Sequence, residues 1–239
     1  MEAASVRSSS WRGGRQRAQQ QLARARQREA LQATGRLGIP PERVVFLGFP
    51  DRGLNALASS HYTRPYRSSS TGVDFVPYVD AYRPGAPYTG EEFVRQLGQL
   101  LSRIRPGVVL TPGPLDSHGD HRATTALVRH TLGQRPGLAR PPSLLYYLVH
   151  SGPEWPFPKG FFPGFTLTLP PAYGQVRALS HALSRAQVRA KRDAIGAYAS
   201  QVSVMGWNLW SFLRRNELLI PAESAVLETR LMVSTRAGR

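Results

Sequence analysis

The chain has no cysteine, and only two of its 239 residues are lysines, Lys159 and Lys191. Without thiols there are no disulfides and no thiolate metal sites, so any metal must be held by His, Asp, Glu or water. No run of about 18 apolar residues occurs, so no transmembrane helix is expected. The first residues are rich in Arg and Ser and lack an apolar stretch, so no signal peptide is expected, and the expected location is cytoplasmic. Acids are scarce: 15 Asp and Glu stand against 31 Lys and Arg, a formal charge of +16. A skew of arginine over lysine this extreme reflects nucleotide bias as readily as function. A basic chain binds polyanions weakly whatever its role. No zinc-finger, RNP or Gly-rich phosphate motif is present, and the aromatics are not interleaved with the basic cluster. A specific nucleic-acid partner is therefore not expected.

The chain is long enough for one α/β domain with a proper core. Residues 1–14, with Ser8-Ser9-Ser10 and Gly13-Gly14, are expected to be disordered. Residues 15–36 are rich in Gln, Ala, Arg and Leu, which predicts a helix ended by Gly38 and Pro40-Pro41. Three short apolar runs, at 44–49, 108–111 and 144–149, predict buried strands. Helices are expected from Thr89 to about Arg103, over 123–132, over 174–200 and from Trp207 to Asn216. An edge strand is expected at 165–169. The 52–89 segment is long and polar, which inside a compact domain suggests a lid or wall to a site. The alternation of strands and helices predicts a parallel sheet with helices on both faces. One domain is expected over 15–220, with a C-terminal tail at 221–239.

Histidine is concentrated where such a sheet does chemistry. His118, Asp120 and His121 follow directly on the 108–111 strand, in Asp116-Ser-His-Gly-Asp-His-Arg122. Ligands bind at the carboxyl ends of strands in open α/β sheets. Imidazole is the commonest metal-binding side chain, and carboxylates orient it. A blander reading competes with this one. Asp120 could cap the following helix, and Asp116 could close an Asx turn. Asp51 ends the 44–49 run and would reach the same sheet edge. His150, at the end of the 144–149 run, is a weaker candidate. His61 and His181 are read as surface residues, His130 faces out of its helix as easily as in, and Trp155, Trp207 and Trp210 are read as core or lid packing.

His118-Gly-Asp-His-Arg122 resembles the His-Pro-Asp-His-Arg motif of the PIG-L/LmbE family of metal-dependent N-deacetylases. Arg26-x-x-Glu29, Leu37-Gly38-Ile39, Phe46-Leu-Gly-Phe-Pro-Asp51, Pro87-Tyr-Thr-Gly90, Leu148-Val-His150 with Trp155-Pro-Phe-Pro158, and Tyr198-Ala-Ser-Gln201 extend the resemblance over roughly residues 24–220. The resemblance implies a Rossmann-like three-layer fold and hydrolysis of the N-acetyl amide of an N-acetylglucosamine-type conjugate. It implies Zn2+, or another divalent metal, on His121. His118 would be catalytic, stabilising the oxyanion or acting as acid, and Asp120 would orient a histidine. Arg26, Asp51 and His150 would bind the small-molecule sugar conjugate.

The family opens with a strand ending in Ala-His-Pro-Asp-Asp-Glu, which supplies two metal ligands and the general base. Residues 1–23 hold no histidine and no acid except Glu2. The expectation is a fold missing its first strand–helix unit, with open strand edges that could drive homo-oligomerisation, and an inactive or nearly inactive chain. A start lying upstream of Met1 is the favoured explanation, and a degenerate remnant the other. Two further readings stay open: a non-catalytic carbohydrate-binding remnant of the same fold, and a basic nucleic-acid-associated protein.

Overall fold

The computed structural model describes residues 2–134, 141–174 and 176–224, without the side chains of 2–13, 15 and 172. It is an α/β structure built on a four-stranded mixed sheet of order β1-β2-β4-β3. The strands are β1 (Val108–Pro112), β2 (Ser143–Tyr147), β3 (Leu179–Ala182) and β4 (Asn216–Pro221). β1 and β2 run parallel; β4 pairs antiparallel with both β2 and β3. The parallel pair β1–β2 is joined through α4 (Gly119–Gly133), as a parallel connection requires.

α1 runs over Glu2–Arg36. It takes in residues 2–14, where composition predicts no regular structure. Once the Gln- and Ala-rich segment has nucleated a helix, each further turn is inexpensive to add. α3 spans Gly90–Ile104 as the pattern predicts. Thr89 caps it by accepting from the Glu92 N–H, and Phe93, Leu100 and Leu101 are buried. α3 packs on α4, and α4 packs on β1. α1 packs on α5 (Arg185–Ala197) and α6 (Ala199–Trp210).

The predicted strand at 44–49 is not one. Gly48 inside it turns with φ +76°, and the Tyr82 N–H donates to Phe46 O, but no strand lies beside it among the described residues. Its side chains still find a core, since Leu47 and Phe49 pack with Phe93, Val94 and Leu127. The free edge of β1 is likewise unpaired among the described residues, and Val108 and Leu110 are more than half exposed.

The predicted edge strand at 165–169 is replaced by a side chain acting as a strand. Asn216 Oδ1 accepts from Leu167 N at 2.6 Å, and Asn216 Nδ2 donates to Leu167 O at 3.1 Å. The predicted helix over 174–200 begins late. Gly174 turns with φ +54°, and Leu179–Ala182 joins the sheet as β3. Only at Ser184, whose side chain and Gln187 form a capping box, does α5 start. His181 therefore sits on β3. The helix expected from Trp207 to Asn216 ends at Trp210, because Asn216 opens β4.

The long 52–89 segment holds a single helical turn, α2 (Leu54–Leu57), yet it is firmly built. Leu57, Val76, Tyr78, Ala81, Ala86 and Tyr88 form its own buried cluster. A second core, around Tyr146, Leu148, Trp155, Tyr173 and Ile220, lies against the sheet. Trp155 is thus core, and its indole N–H donates to Thr168 O. The C-terminal tail lies outside the described residues from 225 onward. No helix among the described residues is long and apolar enough to cross a membrane.

Candidate metal centre

β1 ends in a turn whose atoms are held from several directions. Asp116 N donates to Gly113 O at 3.1 Å, and Ser117 N to His150 O at 2.9 Å. From α4, the Thr125 hydroxyl donates to Pro112 O at 2.6 Å, and Arg122 Nη1 to Asp116 O at 2.7 Å. Gly113 is required here: a Cβ would lie 2.8 Å from the Tyr173 hydroxyl. These bonds fix the end of β1, the start of α4 and the stretch after β2 against one another.

Asp116 is the hub. It is 2 % exposed, and both carboxylate oxygens accept. Oδ1 takes the His118 N–H at 2.8 Å, the Asx turn that sequence allows. Oδ2 lies 3.0 Å from His121 Nδ1 and accepts the His150 N–H at 3.1 Å. Burial alone would raise the Asp116 pKa. The hydrogen bonds from His121, His118 and His150, with the His121 charge, outweigh that and hold it below 3.8.

Three imidazoles gather over this carboxylate. The ring centres of His118 and His121 are 4.8 Å apart, those of His121 and His150 5.0 Å, and those of His118 and His150 5.7 Å. Asp116, His121 and His150 each offer one ligand atom, all within 4.8 Å of one another. Two imidazoles and a carboxylate match the protein ligands of a catalytic zinc, which leaves a further position for water. Burial lowers the His150 pKa, helped by the charges of His121, His118 and Lys159 and opposed by Asp116; the net direction is down from 6.5. Neutral imidazole and ionised carboxylate are the forms that bind metal.

His118 stands beside this set. It caps α4: its Nδ1 accepts the Asp120 N–H at 3.3 Å, so in the neutral ring Nε2 carries the proton. The sequence reading had Asp120 capping α4 or orienting a histidine. Its carboxylate instead accepts from Arg52 N at 2.6 Å and Leu54 N at 3.1 Å, and so caps α2 across the fold.

Arg26 and Asp51 come together, but apart from the histidines. Both line a cavity of about 380 Å³ between α1 and the 45–51 segment, and a second of about 860 Å³ beside it. None of the three clustered histidines lines either. Asp116 is the residue sequence reasoning undervalued. Its signal was present in the Asp-x-His spacing, but the arrival of His150 34 residues later is a tertiary fact. The remaining histidines are elsewhere: His130 bonds Tyr62, and His61 bonds the carbonyls of Arg64 and Pro65.

A family model described as PIG-L, GlcNAc-PI de-N-acetylase, matches residues 3–132. That span includes Arg26, Asp51, Asp116, His118, Asp120 and His121, and stops short of His150. No curated protein matches the chain.

Proposed function

The chain belongs to the PIG-L family, and from that premise we propose that it is a metal-dependent hydrolase that removes the N-acetyl group from an N-acetylglucosamine-type conjugate. Residues 15–220 are taken as the single domain that carries the reaction. The observation that carries this reading is the convergence of Asp116, His121 and His150 on one point. Zinc suits two imidazoles and a carboxylate, although another divalent cation fits the same donors. When bound there, the cation supplies Lewis acidity toward the amide carbonyl and lowers the pKa of an attacking water.

The chain's own groups do the rest. Asp116 fixes His121 through Nδ1 and anchors the backbone of His118 and His150. His118, with its proton on Nε2, donates to the developing oxyanion or protonates the leaving amine nitrogen. Arg26 and Asp51, lining the adjoining cavities, bind the sugar part. Turnover is expected to be low. Asp120, the other carboxylate of the motif, has both oxygens taken by backbone N–H groups and is not free to act as general base.

A second reading has its own support. Every Asp116 oxygen already has a protein donor, so the turn is satisfied without metal. That favours a non-catalytic carbohydrate-binding protein of the same fold. Metal content decides between the two. The purified chain, stripped with chelator and reloaded with zinc, should hold one ion per chain and release acetate from N-acetylglucosaminides, and His121→Ala should lose both. A chain that takes up no zinc and binds sugar equally well in chelator is the non-catalytic protein.

A further inference from the structure

α6 and the 158–165 loop turn a surface to solvent that the core does not use. Phe161, Phe162 and Phe165 on the loop, and Val204, Met205 and Trp207 on α6, are all exposed, Val204 by 82 % and Trp207 by 67 %. They form one patch rather than scattered residues. The Trp207 ring lies against Gly160, where a Cβ would come within 2.7 Å of it. Phe161 meets Trp210 edge to face with ring centres 5.8 Å apart, and the Phe162 and Phe165 ring centres are 5.3 Å apart. Val204 and Met205 precede Trp207 where α6 kinks, with Met205 out of helical geometry at φ −133° and ψ 27°. Single exposed apolar residues are ordinary, whereas a joined patch of large ones marks an interaction site.

The exposure is held in place. Buried Arg214 donates from Nη1 to Gly160 O and Phe162 O, both at 3.4 Å, and from Nη2 to Pro158 O. Ser211 Oγ accepts the Gly160 N–H at 2.7 Å, and Arg215 N donates to Phe165 O at 2.9 Å. No carboxylate pairs with Arg214 among the described residues. A buried cation held only by carbonyls is costly to desolvate. What it secures is the loop backbone, which is not free to relax and draw its phenyl rings inward.

The charge around the patch has one sign. Residues 155–216, which hold all of it, carry eight Lys and Arg and a single acid, Asp193, itself paired with Arg192. Lys159 lies two residues before Phe161, and exposed Arg215 adjoins Phe165 through its backbone bond. A second copy of the chain would bring this positive charge against itself. An anionic bilayer matches both properties: Phe and Trp settle among its headgroups, and Lys and Arg gain from its negative surface potential.

We propose that this patch seats the protein on an anionic lipid surface, as a peripheral attachment with the rings of Phe161, Phe162 and Trp207 in the headgroup layer. The attachment requires neither the metal nor the sugar, so it stands apart from the deacetylase reading.

Co-sedimentation of the full chain with vesicles tests this, using phosphatidylcholine alone and phosphatidylcholine mixed with phosphatidylglycerol. Binding to the mixed vesicles should be about tenfold tighter or more. A chain of charge +16 adsorbs to polyanions in any case, so the aromatic residues decide the matter. The double substitution Phe161→Ser with Trp207→Ser keeps every charge. It should weaken binding to mixed vesicles by about tenfold or more, because two rings lose their place in the interface. Val204→Asp is the second variant: the position is too exposed to disturb the core, and an acid within the patch should weaken binding in the same way. Equal binding to both kinds of vesicle, or binding to neither, overturns the proposal. So does binding to mixed vesicles that both variants leave unchanged, which would be adsorption by charge alone. A parent chain that ignores vesicles but self-associates, and is dispersed by Val204→Asp, would make the patch a protein interface instead.

Discussion

At the scale of single residues, Asp116 carries more than its place in a turn suggests. Removing its charge while keeping its shape, in Asp116→Asn, puts an amide where three donors converge. Each buried donor left poorly matched costs about 1–3 kcal/mol. The variant should unfold at lower urea and should lose zinc, because the loss acts on fold and ligand set together. His150→Gln separates these roles, since the backbone N–H that Asp116 accepts stays in place. It should lower zinc affinity by at least about tenfold, the lower end of what even outer-shell changes cost a metal site.

His150 also gives a signed dependence on pH. Burial first, then neighbouring positive charge, holds its pKa below 6.5. The fold therefore favours the neutral ring. Its contribution to stability is full above pH 6.5 and is lost as pH falls from there toward the lower folded value, because the unfolded chain takes up its proton first. Asp116, also held low, contributes above pH 3.8 and loses its share as pH falls through its own folded value. Urea unfolding of the metal-free chain against pH should show stability falling just below pH 6.5, and His150→Gln should flatten that part of the curve. An unchanged slope in the variant would mean that the surroundings of His150 do not shift its titration.

At the scale of elements, two side chains do work that sequence patterns assign to backbone. Asp120 caps α2 from the start of α4, so Asp120→Ala should leave the Arg52 and Leu54 N–H groups without their acceptor. A lost cap typically costs about 1–2 kcal/mol, readable as a shifted urea midpoint. Asn216 supplies both halves of a strand pairing to Leu167. Asn216→Leu should cost more than the cap, since it orphans a buried donor and a buried acceptor at roughly 1–3 kcal/mol each. The patterns that were legible at this scale are local: the Thr89 cap, the apolar stripe of α3 and the capping box of α5 need only neighbours a few residues apart. The 44–49 run reads as a strand because its side chains are apolar. It is not one because a strand also needs a backbone partner, and periodicity carries no information about partners.

At the scale of the whole molecule, the free edge of β1 is the exposed feature. Among the described residues no strand pairs with it, and this edge beside half-exposed Val108 and Leu110 is a template for another strand. Leu110→Lys, which puts a charge on that edge, should reduce light scattering on mild heating with little change in zinc binding. Zinc should act in the other direction on stability. A ligand that binds only the folded chain adds about 2.7 kcal/mol at a hundredfold excess over Kd, so the melting temperature should rise with zinc and fall back with chelator.

The sequence by itself determined the parts of this protein that short-range chemistry controls. The absence of cysteine limits the metal chemistry to His and carboxylates, and the His118-Gly-Asp-His-Arg122 cluster with its neighbouring motifs points to the family. Tertiary structure decided the rest. It brought His150 to Asp116 across 34 residues and turned Asp120 toward α2. It gathered Arg26, Arg52 and Arg67 from α1 and two loops around one cavity, and among the described residues it left β1 with an open edge. Each of these depends on where distant backbone segments come to rest against one another. That placement is set by the packing of the whole chain, which no local window of sequence contains.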